Sequence, residues 1–183
     1  EIHERLVGSE MCIRDSISPE KAQKLLSALD PNIKSVAVTV SPTEEQLEQI
    51  HTLGFDYVQI HGKISEKLLS ECKTPVIRAI NVSGIESIGD IENLDNVKGI
   101  LFDSAVPGSG KSFDWSMLEK LPKTDKMLFL AGGLTADNVA KAVAQLRPFA
   151  VDVSSGVELA DKSGKDYQLV QAFIKNAKSA IIH

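Results

Sequence analysis

Six short apolar segments rich in valine and isoleucine recur along this 183-residue chain, and they constrain its fold more than any other feature. Most of them lack the strict polar alternation of a half-exposed strand, which is typical of strands buried on both faces. We predict strands at Val36–Val40, Tyr57–Ile60, Val76–Ile80, Gly99–Phe102, Met127–Leu130 and Ala150–Val153.

Amphipathic segments with helix-start signals separate these strands. Ser18 precedes Pro19, which places a capping serine before a proline at the first helical position. The segment 41–44 repeats this pattern, so we expect Ser41 to cap a second helix and Glu44 to complete its capping box. Further helices are predicted at 87–94, 114–121, 136–146 and 167–177.

The order of elements is one helix followed by strand–helix pairs, which implies parallel strands joined by right-handed crossovers. An open doubly wound sheet and a closed (β/α)8 barrel both fit this order. The number of strands fits the open sheet, whereas the motifs at the strand ends favour the barrel. We therefore expect an α/β fold, a TIM (β/α)8 barrel that is N-terminally incomplete, with about six of eight strands recognisable.

The first sixteen residues differ from the rest of the chain. They show neither a strand period nor a helix period, and they run directly into the helix start at Ile17. We interpret residues 1–16 as a non-native or divergent N-terminal segment, and residues 17–183 as a single barrel domain.

The composition limits the classes of binding partner and the cellular compartment that we expect for this protein. A formal net charge of −5 argues against a general nucleic-acid binder, and no apolar run approaches the roughly 20 residues of a membrane span. Cys12 and Cys72 make no disulfide framework, which favours a reduced, cytoplasmic protein. The histidines show no metal-ligand spacing, so we expect no metal site, and the composition leaves the oligomeric state open.

Two loops after the last two predicted strands carry glycines and hydroxyl groups. Gly132 and Gly133 allow the backbone to approach a ligand closely and to direct N–H groups towards it. The next loop adds a carboxylate, two hydroxyls and another glycine through Asp152, Ser154, Ser155 and Gly156. Such a pair of loops matches the phosphate site common in (β/α)8 barrels, although Gly-Gly after a strand also makes plain tight turns.

Three charged or titratable residues lie in or at the ends of predicted strands. Asp103 has the position of a catalytic carboxylate and, if partly desolvated, suits a general acid; a loop-bracing aspartate is the alternative. His61 points near the same rim, where a structural histidine is the competing interpretation. Arg78 lies inside a buried strand, so it must be paired or face a ligand.

The loop at 107–112 reads Pro-Gly-Ser-Gly-Lys-Ser, but it is not a phosphate-binding P-loop, because Ala105 stands where that motif needs glycine. We interpret it as a loop that closes over substrate, with Lys111 as an anion contact. A plain flexible surface loop is the alternative.

These motifs in this order resemble the phosphoribosylanthranilate isomerase family. The resemblance runs from Ile17 to the C-terminus. It rests on the segments 57–62 (Tyr-Val-Gln-Ile-His-Gly), 76–80, 101–104, 108–115, 130–134 with 138–139, 152–158 and 164–166.

The resemblance implies a cofactor-free Amadori rearrangement of N-(5-phosphoribosyl)anthranilate in tryptophan biosynthesis. The family's general acid matches Asp103, and its second aspartate, near the sugar hydroxyls, matches Asp152. Its phosphate contacts match Gly132, Gly133, Ser154, Ser155 and Gly156.

The family also opens with a Lys-x-Cys-Gly strand, whose cysteine is the general base, and a Ser-Pro-Arg segment, whose arginine holds the anthranilate carboxylate. We match neither Cys12 nor Arg14 to these residues, and we expect Cys72 at the opposite, N-terminal rim. The chain as printed is therefore expected to be impaired. A non-catalytic phosphate-binding barrel remnant and another phosphate-binding TIM-barrel enzyme are the alternatives.

Overall fold

The computed structural model describes residues 6–10, 17–81, 94–103 and 124–180, with backbone alone for 6–10 and 81. These residues form seven strands: β1 Leu6–Glu10, β2 Lys34–Val40, β3 Tyr57–His61, β4 Val76–Asn81, β5 Val97–Asp103, β6 Met127–Leu130 and β7 Ala150–Val151. They also form the helices α1 Pro19–Ala28, α2 Glu44–Leu53, α3 Glu66–Glu71, α4 Val139–Leu146 and α5 Tyr167–Ser179, with a 3₁₀ turn at Ser155–Val157.

The strands lie side by side in chain order, from β1 to β7. Each pairing with a described register is parallel, with Val36 opposite Tyr57, Val58 opposite Val76 and Phe129 opposite Ala150. A doubly wound sheet reverses its strand order partway, whereas a barrel wall does not. The strand order therefore favours the predicted barrel wall, and all six predicted strands are confirmed.

β1 was not predicted. Leu6–Glu10 runs parallel to β2, with Gly8 opposite Val36. Its sequence, Leu-Val-Gly-Ser-Glu, carries no sustained alternation, so its pairing with β2 defines the strand rather than any period of its own.

The chain divides into two compact units. The first holds β1 to β3, β4 as far as Ile80, the helices α1 to α3 and the start of β5. Most of its buried residues lie on the strands, with the fully buried Val58, Ile60 and Val76 among them. Leu47 and Ile50 cover the core from α2. The near-continuous burial of β3 and β4 agrees with the predicted two-sided burial.

The second unit holds the end of β5, then β6, β7, α4 and α5. Helix α4 packs against α5 and buries Val139 and Ala142 completely, while Phe173 and Ala177 supply the buried face of α5. Phe129 of β6 also stacks at a tilt against Phe149, with ring centroids 5.6 Å apart.

The helix caps confirm one sequence prediction and correct another. Ser18 caps α1, since its hydroxyl accepts a hydrogen bond from the Lys21 amide at 3.3 Å. Thr43, not Ser41, caps α2, and Gln46 rather than Glu44 completes the capping box.

The correction has a tertiary cause. The Ser41 hydroxyl accepts a hydrogen bond from the Lys63 amide at 2.8 Å, and the Ser41 amide donates to the His61 carbonyl at 2.9 Å. These bonds hold Ser41 against the end of β3 and the residues that follow it, and the Ser41 backbone has a φ of 48°. The helix therefore starts two residues later, at Glu44.

Several predictions lie outside the described residues. They are the helix at 114–121, the helix at 87–94 apart from Leu94, the loop at 107–112, and Cys12 with Arg14. Within the part of the chain that is described, no helix has the length and apolarity needed to cross a membrane.

Candidate active site

The C-terminal ends of β5, β6 and β7 form one edge of the second unit. The Ala131 amide donates to the Phe102 carbonyl at 2.8 Å, and the Asp152 amide donates to the Leu130 carbonyl at 2.7 Å. Neighbouring strands lie roughly 4.8 Å apart, so these bonds bring Asp103, the glycine loop after β6 and the loop after β7 next to each other. The structure thus groups the catalytic and phosphate-binding residues predicted for this unit.

The glycine loop after β6 presents two successive backbone N–H groups. Gly132 and Gly133 have φ values of 77° and 66°, in the left-handed region that other residues adopt only with strain. Within the described residues, neither of their amide N–H groups donates a hydrogen bond. Successive N–H groups in such a turn form a concavity suited to an anion.

Asn138 braces this loop from the start of α4. Its Oδ1 accepts from the Thr135 amide at 2.8 Å, and its Nδ2 donates to the Gly133 carbonyl at 2.9 Å. Sequence reasoning did not identify this bracing role, although an asparagine just before a helix is a common capping signal.

The loop after β7 turns into the short 3₁₀ segment Ser155–Val157, with Ser154 and Ser155 exposed. A short extra helix after the last strand is a recurrent part of the phosphate site in (β/α)8 barrels. Gly156 has a steric role here, because a Cβ atom would lie 2.0 Å from the Leu134 carbonyl oxygen. Only glycine allows the two loops to approach this closely.

Lys165 is a residue that the sequence reasoning did not assign to the site. Its ammonium group lies within hydrogen-bonding distance of Ser154, eleven residues earlier in the chain. No local sequence pattern predicts this contact, because it depends on the hairpin that joins the 3₁₀ turn to α5. In the sequence analysis, Lys165 appears only in the segment 164–166, as part of the resemblance to the family.

The two predicted carboxylates differ in their exposure. Asp103 is half-buried at the end of β5, whereas Asp152 is exposed after β7. Partial burial at the C-terminal end of a barrel strand suits a proton donor better than full exposure does.

Arg78 and His61 belong to the first unit. The Arg78 guanidinium donates to the carbonyl oxygens of Ile60 at 2.6 Å, Ala79 at 2.9 Å and Gly62 at 2.5 Å. Among the described residues no carboxylate pairs with it, and burial lowers the pKa of Arg78. Backbone carbonyls therefore satisfy the requirement that this charge be paired, and its role as a substrate contact stays a prediction.

His61 forms a close pair with Gln59 on the same face of β3. The Gln59 Nε2 and His61 Nε2 atoms lie 2.7 Å apart, so the amide donates if the histidine carries its proton on Nδ1. The geometry gives His61 a structural partner, and its role at the substrate also stays a prediction.

Cys72 ends α3 and precedes β4, at the N-terminal end of that strand. Its thiol is buried and donates to the Thr74 carbonyl at 3.4 Å. Burial raises the pKa of the Cys72 thiol, which opposes a role as a base. Among the residues that the structure describes, no group of three or more His, Cys, Asp or Glu side chains is placed to hold a metal ion.

Comparisons with known proteins agree with this geometry. The family model described as N-(5'-phosphoribosyl)anthranilate (PRA) isomerase matches residues 5–176. The family model thus matches twelve residues more at the N-terminus than the resemblance described above, which begins at Ile17. The N-(5'-phosphoribosyl)anthranilate isomerase of Streptococcus mutans is 41% identical over 164 residues, which cover 88% of this chain and 81% of that protein.

Solved structures show the same relationship. The phosphoribosyl anthranilate isomerase of Thermotoga maritima superposes with a TM-score of 0.82 at 36% identity, covering 95% of this chain and 88% of that one. A phosphoribosyl anthranilate isomerase in complex with reduced 1-(o-carboxyphenylamino)-1-deoxyribulose 5-phosphate has a TM-score of 0.79 at 34% identity, covering 95% and 87%. On the family match and these relatives, this chain belongs to the N-(5'-phosphoribosyl)anthranilate isomerase family.

Proposed function

We propose that this chain carries out the isomerisation of N-(5'-phosphoribosyl)anthranilate in tryptophan biosynthesis, in the cytoplasm and without a cofactor. The observation that carries this proposal is the alignment of the ends of β5, β6 and β7. It places the half-buried Asp103 beside two loops whose N–H groups and hydroxyls suit a phosphate.

The phosphate anchors the substrate in this proposal. The free amides of Gly132 and Gly133 bind its oxygens from one loop, and Ser154, Ser155 and the chain at Gly156 bind them from the other. The contact of Gly156 with the Leu134 carbonyl fixes the spacing of the two loops. Anchoring by a remote group holds the sugar ring in place for the reaction at its other end.

Asp103 acts as the general acid. It donates a proton to the ribose ring oxygen as the bond from C1 to that oxygen breaks, and the anthranilate nitrogen lone pair forms the protonated imine. Loss of the C2 proton then gives an enolamine, which becomes the ketone when C1 takes up a proton and the C2 hydroxyl loses one. Asp152 binds the sugar hydroxyls, and we assign no residue of this sequence to the base that removes the C2 proton.

The test of this role compares Asp103→Asn with Asp125→Asn. Asp125 is an exposed aspartate just before β6, at the other end of the strands, and it serves as the matched control. At enzyme concentrations high enough to measure slow turnover, Asp103→Asn should lower the rate by about 10²–10⁴-fold, and Asp125→Asn should leave it unchanged. Wild-type turnover in Asp103→Asn would contradict the assignment.

A second measurement separates binding from turnover. We expect the 183-residue polypeptide, assayed alone, to turn over about 10²–10⁴-fold more slowly than the Streptococcus mutans isomerase, because no base is assigned. It should nevertheless bind reduced 1-(o-carboxyphenylamino)-1-deoxyribulose 5-phosphate. Equal turnover would refute the expected impairment, binding without turnover would favour a non-catalytic phosphate-binding protein, and neither binding nor turnover would refute the proposed function.

A further inference from the structure

We propose that Lys165 is a positioning residue, which orients the Ser154 hydroxyl as a hydrogen-bond donor towards the substrate's phosphate. This inference rests on the proposed function, because it requires a phosphate at the loop after β7. It assigns to Lys165 an effect on affinity without direct contact with the ligand.

The ammonium group of Lys165 already directs its donors to acceptors within the protein. Lys165 Nζ lies 3.0 Å from the Ser154 carbonyl oxygen, 3.1 Å from the Ser154 hydroxyl oxygen and 3.0 Å from Glu158 Oε1. A lysine ammonium has three N–H donors, so these three acceptors use all of them. No donor is left for a ligand oxygen.

The same contact determines the direction of the serine proton. A hydroxyl has one O–H donor and two lone pairs, and the ammonium of Lys165 occupies one lone pair of Ser154. The O–H bond must therefore point away from Lys165. No described residue accepts a hydrogen bond from it, and Ser154 is exposed, so the proton is available to a ligand at the loop.

Charge also strengthens this donor. A hydroxyl that accepts a hydrogen bond from a cation is polarised and becomes a better donor itself. The net charge that Lys165 adds is small, since Glu158 forms an ion pair with it at 3.0 Å. We therefore expect its effect to pass through Ser154 rather than through long-range attraction.

The hairpin from Glu158 to Lys165 holds the lysine in place. These two residues form an antiparallel bridge, the Leu159 amide donates to the Gly164 carbonyl at 2.9 Å, and the Asp166 amide donates to the Val157 carbonyl at 2.8 Å. The backbone thus restricts a side chain that is still 48% exposed.

The experiment measures the binding of two probes by calorimetry. One is reduced 1-(o-carboxyphenylamino)-1-deoxyribulose 5-phosphate, and the other is the same compound without its phosphate. Lys165→Met should raise the dissociation constant for the phosphorylated probe by about tenfold and leave that for the dephosphorylated probe unchanged. Lys175→Met removes the same charge from an exposed position on α5 and should change neither constant.

A double-mutant cycle tests whether Lys165 acts through Ser154. In the Ser154→Ala background, Lys165→Met should have little further effect on the phosphorylated probe, because the hydroxyl that it orients is absent. Fully additive effects would overturn the inference. If Lys165→Met does not fold, as judged by circular dichroism, Lys165→Leu, which also lacks a donor, is used in the same cycle with the same expectations.

The outcomes distinguish this inference from the proposed function. If the wild-type chain binds both probes equally, the phosphate site itself fails and the inference fails with it. If the wild-type chain prefers the phosphorylated probe and Lys165→Met keeps that preference, only the role of Lys165 is refuted.

Discussion

The two units differ in whether the polar groups at the C-terminal ends of their strands have hydrogen-bond partners within the protein. In the first unit, Arg78 donates to three carbonyl oxygens at the end of β3 and β4, and His61 pairs with Gln59. In the second unit, the amides of Gly132 and Gly133 donate no hydrogen bond within the described residues, and the Ser154 hydroxyl only accepts one.

This difference separates structural polar groups from those that are available to a ligand. Buried or half-buried polar groups are normally satisfied within the protein, and leaving them unpaired costs about 1–3 kcal/mol each. The Gly133 amide and the Ser154 hydroxyl are exposed and therefore solvated, so a ligand at these strand ends would replace water rather than a protein partner. We therefore propose the phosphate site in the second unit, whereas Arg78, His61 and Gln59 of the first unit already have hydrogen-bond partners within the protein.

Of these substitutions, Gly156→Ala should lower the stability of the protein most, and it should also disrupt the proposed phosphate site. The added Cβ would lie 2.0 Å from the Leu134 carbonyl oxygen, so the two loops must separate. We expect a loss of about 3 kcal/mol in unfolding free energy, together with weaker binding of the reduced product. Chemical denaturation and calorimetry measure the two effects.

Gly164→Ala is the matched control for this variant. A Cβ at Gly164 would meet only Leu159 Cδ1, at an ordinary 3.9 Å. It should change stability by less than about 0.5 kcal/mol. Equal effects of the two substitutions would show that the close approach at Gly156 is unimportant.

Arg78→Gln should lower the stability of the first unit without changing the proposed phosphate site of the second. The substitution leaves carbonyl oxygens at the end of β3 without their charged donor, so we expect a loss of about 2 kcal/mol in unfolding free energy. The affinity for the reduced product should stay within about twofold. Lys98→Gln, at an exposed position of β5, serves as the control.

Arg78→Gln also tests whether Arg78 contacts the ligand. If the variant keeps its stability but loses affinity for the reduced product, Arg78 is the ligand contact that the sequence predicted. The guanidinium would then belong to the binding site rather than to the structural cluster.

Asp56→Asn should change the unfolding free energy least, and the size of this change should depend on pH. Burial alone would raise the pKa of Asp56, but hydrogen bonds from Lys34 and Ser35 outweigh it and lower the pKa. A carboxyl with a lowered folded pKa stabilises the fold fully above its unfolded value of about 3.9, and this contribution is lost as pH falls through the folded value.

The wild-type chain should thus exceed Asp56→Asn in unfolding free energy by about 1 kcal/mol at neutral pH. Denaturant titrations towards acid should show this advantage disappear below about pH 4. Asp95→Asn, at an exposed position before β5, is the matched control for this titration. An advantage that persists in acid would exclude the ionised carboxylate as its source.

Local patterns predicted much of this fold. The six Val- and Ile-rich segments became strands because buried β-branched residues and their flanking turns are properties of a few neighbouring residues. The prediction that Ser18 caps α1 was confirmed because a helix cap also involves only neighbouring residues. The glycines and serines after β6 and β7 indicated the site, because backbone freedom and hydroxyl chemistry are visible in the residue types.

Contacts between distant residues decided the rest. Ser41 did not cap α2 because Lys63 and His61 engage it, and β1 formed by pairing with β2 rather than through its own pattern. The steric role of Gly156 depends on Leu134, and the role of Lys165 depends on the hairpin that brings it to Ser154. Sequence determined which groups were present, whereas tertiary structure decided which were satisfied, because hydrogen-bond partners are fixed only when separate segments pack together.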